Sequence, residues 1–306
     1  VIVRSQDQDG LVAKGEAQKG RMGPPTIALS LNPEGAYSVG ISLGHRDTDV
    51  VLLNFVGQVK YQTTIANPNP TQASNQSQLV ATVKEALAAL PDSDSSRLTG
   101  IGLAIPEDVH ELALGPQGQA ERNEALGSEI EAAVGLEVYV HNDISAAAAG
   151  ESMFGAAKSL DDYLFFYLGA RLHHRLVMNH QIFQSPNQAS NPTGLLELEE
   201  RIQAQGFSSD DLWDRSATWP DFGPSRAEWI ADCIQEVTQS VTQASQFLPV
   251  NTVIVSSYAP SEICEEIASG LAKQVEGIEA LPGGLSASPK AIGAASLPFS
   301  SKFTVS

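Results

Sequence analysis

Residues 138–155 read VYVHNDISAAAAGESMFG. An apolar strand runs into the polar pair Asn142-Asp143, and a helix of very small residues follows. A polar pair at such a strand-to-helix turn places side chains at the lip of a cleft. The same pair suits a helix cap, because Asn and Asp side chains accept from the first free backbone N–H groups. From these residues alone both readings stand.

Working outward, residues 37–43, 49–55 and 58–64 read as three strands with a turn at Gly57, a β-meander. Leu79, Val83, Leu87 and Leu90 then recur at helical spacing in 78–90, and 98–105 is an apolar strand. A second helix over 121–134 leads into the strand 136–141. The order βββαβαβ is that of an RNase H-like domain, a mixed sheet with helices packed on it. Beyond the quoted stretch the order partly repeats. Residues 163–168, 172–179 and 181–184 read as strands, with Asn179-His180 as a hairpin turn. Trp229, Cys233, Val237, Val241 and Ala244 line one face of a long helix, 252–256 is a buried strand, 260–275 a helix, and 289–297 a final small-residue helix. Two similar halves imply an α/β protein with a cleft between them, where small ligands bind. The expected divisions are 1–26, 27–141 with a C-terminal helix of 287–300 packed on it, and 142–286.

At 306 residues and 42% hydrophobic content the chain can bury a core in each half. Its net charge of −18 repels polyanions, so the body is no nucleic-acid platform. Arg4, Lys14, Lys19 and Arg21 make the first 25 residues the basic stretch of an acidic chain. The chain does not open with methionine, and we read this end as the remnant of something larger; trimming of an ordinary start would look the same. No apolar run reaches the roughly 18 residues of a membrane span, and VIVRSQDQDG lacks a signal-peptide pattern. We expect a cytoplasmic location without membrane association. The two cysteines, Cys233 and Cys264, fall on apolar helix positions and read as buried free thiols.

Four blocks carry a family resemblance: GPPTIALSLNPEGAYSVGISLG, LTGIGLAIP, LEVYVHNDISAAAAGESMFG and SPKAIGAASLPF. In this order and spacing they resemble the ROK family of repressors, open reading frames and sugar kinases, over almost the whole chain. The resemblance implies two RNase H-like domains of the actin-like ATPase and sugar-kinase type, with an interdomain cleft. It also implies a regulatory branch that carries a winged helix-turn-helix, of which GLVAKGEAQKGRMGPPTIALSLNP resembles the wing and connector. In the family, the residues matching Asn142 and Asp143 hydrogen-bond the sugar, and the aspartate is the general base. Asn142 and Asp143 are therefore the leading ligand contacts, with Gly102, Pro106, Glu107 and Asn123 as weaker candidates from neighbouring loops.

The kinase pattern is eroded. The first phosphate loop resembles D-x-G-G-T in the family, whereas here Ser42 replaces the aspartate, Gly44 remains, His45 replaces a glycine, and two extra residues precede Thr48. Asp47 is a shifted carboxylate. In the second phosphate loop, YLGARLHHRLV, Gly169 alone survives; Arg171, His173, His174 and Arg175 crowd it, either as an anion site or as a solvated strand face. Ser256-Ser257 stand where the adenosine-contacting Gly-Gly belongs. Pro192-Thr193-Gly194-Leu195 replace E-x-G-H, and Pro106-Glu107 replace Pro-Gly. His173-His174 lack further ligands at useful spacing, so neither a metal nor another cofactor is expected. Trp213, Trp219 and Trp229 read as core anchors before sugar platforms, and Pro282-Gly283-Gly284 as a turn before a phosphate nest.

The expectation is a sugar-binding, oligomerising module of a ROK-type transcriptional regulator, without catalytic residues. Its partners are a sugar or sugar derivative, DNA through an upstream domain, and a second copy in a homodimer or homotetramer. An active sugar kinase and a ligand-free dimerisation scaffold are the alternatives.

Overall fold

The computed structural model describes residues 10–18, 26–44, 47–66, 73–107, 116–184, 192–213, 218–285 and 288–303. A hairpin of β1 (Val12–Gln18) and β2 (Thr26–Leu31) comes first. It spans the division expected at residue 26. Leu11 is buried beside Ala36 and Phe299 at its base, and Asn32 Nδ2 donates to the Gly10 carbonyl at 2.7 Å. Residues 1–9, which precede the stretch that resembles a wing and connector, lie outside the described residues, as do Lys19 and Arg21.

The first large sheet contains β3 (Tyr37–Leu43), β4 (Asp47–Asn54), β5 (Val59–Ala66), β6 (Leu98–Ile105) and β7 (Val138–Asn142), in the order β5-β4-β3-β6-β7. The β3, β4 and β5 meander is antiparallel, whereas β6 and β7 join parallel to β3. Parallel addition requires crossovers, which are α1 (Ala73–Ala88) with a 3-10 turn (Asp92–Arg97), and α2 (Pro116–Val134). Their apolar faces pack Leu79, Val83 and Ile130 onto Val39, Ile41 and Leu103.

After α3 (Asp143–Phe154) the plan recurs. The second sheet has the order β10-β9-β8-β11-β12, built from β8 (Tyr163–Leu168), β9 (Leu172–Met178), β10 (Gln181–Phe183), β11 (Thr252–Ser257) and β12 (Glu279–Pro282). Again the first three strands are antiparallel and the last two parallel. Asn179 and His180 have φ of 50° and 62°, the doubly left-handed pair of a type I′ hairpin turn. Helices α4 (Leu195–Ala204), α5 (Asp210–Trp213), α6 (Pro224–Ala244) and α7 (Ser261–Gln274) cover the outer face. There Trp229 is fully buried and its Nε1 donates to the Gly194 carbonyl at 2.9 Å; Trp213 and Trp219 pack against the same core. Cys233 and Cys264 are buried free thiols.

Two helices fill the space between the sheets. Ile144, Ala147 and Ala148 of α3 pack on Phe165, Tyr167 and Ile254 of the second sheet. The last helix, α8 (Pro289–Phe303), packs Ala291, Ile292 and Ala295 on Val51 and Leu53 of the first. Small residues are needed here because backbone meets backbone. A Cβ on Gly102 would collide with the Ala294 carbonyl, and one on Gly293 with the Ala146 carbonyl. The final helix continues through Pro298 to Phe303, six residues beyond the expected 297. Its termination is overridden by burial of Pro298 and Phe299 against the body.

Candidate functional site

The site is the point where β7 turns into α3, facing the end of β6, the middle of β9 and the start of α8. Asn142 has φ −64° and ψ 138°, the non-helical geometry of an N-cap. Its Oδ1 accepts from the backbone N–H groups of Ile144 and Ser145, both at 3.0 Å. Capping is therefore a real role for this residue. Its side-chain Nδ2 still points outward, donating to Glu107 Oε2 at 3.0 Å.

Asp143 is buried. Its Oδ1 accepts from the backbone N–H of Ile144 at 2.9 Å and of Glu107 at 3.0 Å. Its Oδ2 is ion-paired with Lys290 of α8. The Lys290 ammonium also lies 4.7 Å from the centre of the Tyr167 ring, a cation–π distance. Both carboxylate oxygens are thus already engaged, one by a cation and the other by two backbone amides.

Glu107 stands just after β6 and pairs with the Arg175 guanidinium. Arg175 is fully buried. Its Nε donates to Ser145 Oγ at 2.9 Å, its Nη1 to the His174 carbonyl at 2.7 Å, and its Nη2 also to Asn142 Oδ1 at 2.8 Å. His173 Nδ1 lies 3.8 Å from Glu107 Oε1. The second phosphate loop's basic cluster is thus not a solvated strand face at Arg175 or His173. Strand parity explains this: His173, Arg175 and Val177 alternate onto the buried inner side of β9. Arg175 does bind an anion, and that anion is the chain's own Glu107.

The remaining expected contacts disperse. Gly102 lies under α8, where the Ala294 carbonyl fills its open side. Pro106 is half-buried beside Glu107. Asn123 falls on α2, and its side chain is outside the described set.

The two segments that the resemblance matches to phosphate loops form closed turns. Ser42 is buried and pairs across the ladder with Asp49, a buried carboxylate that accepts from Thr64 Oγ1 at 2.9 Å. The Gly44 amide donates to the Asp47 carbonyl at 2.7 Å, and Asp47 Oδ1 lies where a Gly44 Cβ would project. Thr48 follows on β4, opposite Leu43. His45 and Arg46 lie outside the described residues. The Gly169 amide is engaged by the Arg171 carbonyl at 3.1 Å. Segment 193–196 seals this turn through Leu172 N–H to Thr193 O, Leu195 N–H to Gly169 O and Leu196 N–H to Ala170 O.

Pro282-Gly283-Gly284 also holds an internal anion. The buried Glu151 carboxylate accepts from Gly284 N–H and Ala156 N–H, both at 2.9 Å, and from Ser256 Oγ at 3.1 Å. Beside Ser256-Ser257 a cavity of about 290 Å³ is lined by Gln62, Ser256, Ser257, Tyr258 and Ser288. Ser257 Oγ is turned away from it, donating to the Leu168 carbonyl at 2.6 Å.

Sequence reasoning missed Lys290, Ser145 and Glu151 and misjudged the burial of Arg175. Lys290 had one legible signal, as a lone cation at the head of a small-residue helix. Glu151 had another, a carboxylate inside a run of alanines and glycine.

Among described residues no group of His, Cys, Asp and Glu could hold a metal ion, and no helix is long and apolar enough to cross a membrane. Comparison with known proteins agrees with the architecture. A xylose repressor of Bacillus subtilis is 22% identical over 190 residues, covering 61% of this chain and 48% of the repressor. An uncharacterized protein of Sinorhizobium fredii is 24% identical over 322 residues, covering 95% and 80%. The chain spans about half the length of the curated xylose repressors it matches. Among solved structures, a ROK family transcriptional regulator described as a homolog of the E. coli MLC protein superposes with a TM-score of 0.63 at 16% identity, over 97% of this chain and 87% of that one. A ROK family glucokinase from Streptomyces griseus, in complex with glucose and AMPPNP, gives 0.59 at 19% identity, over 86% and 99%. These two likenesses establish the shared two-sheet sugar-kinase fold. The model of the ROK family matches residues 38–190, half of the sequence, and with that match the chain belongs to the ROK family.

Proposed function

We propose that this chain is the effector-binding and oligomerisation module of a ROK-type transcriptional regulator, without kinase activity. The observation that carries the reading is the state of Asp143. The carboxylate at the general-base position is buried and held by Lys290 and by the backbone N–H groups of Ile144 and Glu107. Phosphoryl transfer needs that carboxylate beside a sugar hydroxyl, and phosphate amides free to bind nucleotide. The closed turns at Gly44 and Gly169 offer neither amide.

In this reading the bodies 27–141, with α8, and 142–286 rock about the cleft. Glu107 belongs to the first body and Arg175 to the second, so their pair ties the bodies together. A sugar or sugar derivative contacting Asn142, Asp143 and Glu107 displaces this tie and shifts the population of orientations. In a cytoplasmic homodimer or homotetramer such a shift resets the spacing of DNA-binding domains carried with the module.

The test pairs a thermal-shift screen against neutral and acidic sugars with an assay of sugar-dependent ATP consumption. We expect stabilisation by a sugar-class ligand through mass action, and no ATP turnover. Turnover that disappears in Asp143→Asn would reinstate the kinase. The scaffold reading is favoured by one feature, the mutual saturation of Arg175, Glu107 and Asn142 without a ligand. Silence across the screen would select it.

A further inference from the structure

Deepening the effector-module reading above, on which its regulatory meaning rests, we propose that helices α3 and α8 form a mechanical link between the Asn142-Asp143 site and the β1–β2 hairpin. The two helices run side by side in the same direction. Their heads meet in the Asp143–Lys290 ion pair. Their middles touch backbone to backbone, since a Cβ on Gly293 would strike the Ala146 carbonyl and one on Gly150 the Gly293 Cα. Their tails meet where the Phe154 and Phe299 rings cross at 89° with centres 6.4 Å apart. At the rise of an α-helix, head and tail are about 14–16 Å apart.

The tails form the footing of the hairpin. Phe299 is buried with Leu11 and Ala36, and Phe55, Met153, Phe154 and Phe303 pack around them. Phe55 is edge-on to both Phe299 and Phe303, with ring centres 5.4 and 5.1 Å away. The Leu11 carbonyl accepts from Asn32 N–H at 2.9 Å and so closes the base of the hairpin.

Each helix belongs to a different body. Gly40 and Gly102 seat the Ala291 and Ala294 carbonyls of α8 on the first sheet, whereas α3 packs Ile144, Ala147 and Ala148 on the second. At Gly150 and Gly293 neither helix presents a side chain, so that stretch of the seam has no ridge to hold a register. The register is set at the ends, by the ion pair and by the rings. Sliding of packed helices is a recurrent form of domain movement.

At the head, the Asp143 side chain is 3% exposed and that of Lys290 19%. Both groups have other partners when they separate. Asp143 keeps the backbone N–H groups of Ile144 and Glu107, and Lys290 keeps the Tyr167 ring. Loss of the pair lets α3 slip along α8, carries Phe154 across Phe299 and loosens the packing of Leu11. In the effector reading, a ligand that engages Asp143 Oδ2 competes with Lys290 and thereby acts on the hairpin, part of the stretch that resembles a wing and connector.

The experiment is amide hydrogen exchange of this chain without ligand, read at residues 11–14 and 29–32. In Lys290→Met we expect hairpin exchange to rise about fivefold or more. Asp143→Asn, which keeps the shape of the head, should do the same and serves if the first variant does not fold. Val237→Ala, in the outer core of the second body, controls for general destabilisation and should leave the hairpin within about twofold of the parent. In a Phe154→Leu background, where the tail is already loosened, adding Lys290→Met should bring little further rise. Unchanged hairpin exchange in the head variants, an equal rise in Val237→Ala, or full additivity of Phe154→Leu and Lys290→Met would overturn the link. No sugar enters this test, so its failure leaves the effector reading standing, and a silent sugar screen leaves the link standing without a ligand.

Discussion

Glu107→Gln is the most informative perturbation of stability. The substitution keeps shape but removes a carboxylate partner of a guanidinium that is 0% exposed. Removing one partner of a buried pair costs about 3–5 kcal/mol. Two features put this case at the lower end: the Glu107 side chain is 16% exposed, and Arg175 keeps Ser145 Oγ, the His174 carbonyl and Asn142 Oδ1 as neutral acceptors. We therefore expect a loss of about 3 kcal/mol. In a chain of this size each kcal/mol moves the melting temperature by about 2 °C, so Tm should fall by ~6 °C. Arg175→Met alone should be destabilising as well. Replacing both charges by neutral groups of similar volume is close to neutral in other proteins, so the double variant should be more stable than the sum of the single losses by about 2 kcal/mol. The assay is differential scanning calorimetry of the four proteins of the cycle. A Glu107→Gln variant within about 0.5 kcal/mol of the parent, or strict additivity of the two changes, would refute the claim that this pair joins the two bodies.

Three further outcomes test other parts of the structure. Gly102→Ala forces a methyl group onto the Ala294 carbonyl; because backbone opposes it, we expect a loss of about 3 kcal/mol or failure to accumulate as folded protein, read by soluble yield and melting. Cys233 and Cys264 should resist iodoacetamide in the native state near neutral pH and react after denaturation, because both are buried and burial pushes both thiols up, Cys264 to about 12. Stability should fall in alkali. Burial raises Cys264 and Tyr163 to about 12, above their unfolded values of about 8.5 and 10. The native state then holds protons the unfolded chain has lost, so ΔG of unfolding decreases from about pH 8.5 upward. Melting temperatures recorded between neutral pH and strong alkali check the sign, and a flat or rising profile would contradict it.

Much of this molecule is legible along the chain. Strands such as Tyr37–Leu43, Leu98–Ile105 and Tyr163–Leu168 appear in the sequence because a buried strand must be an apolar run bounded by polar turns. The hairpin at Asn179-His180 is equally local, since its left-handed φ values suit Asn. Less legible were α4 and β12. The first follows the polar segment 185–191, outside the described set, and the second is a four-residue edge strand whose pairing with β11 is parallel and non-local.

By itself the sequence determined the βββαβαβ order of the first half, its partial repeat in the second and the polar pair at the mouth of α3, because each is a pattern within a short window. Only the tertiary structure decided what that polar pair does. Asn142 caps a helix and touches Glu107 and Arg175; Asp143 meets Lys290, 147 residues away in the chain. Charge balance in a buried site depends on which side chains the fold brings within reach, and no local pattern encodes a partner from another sheet.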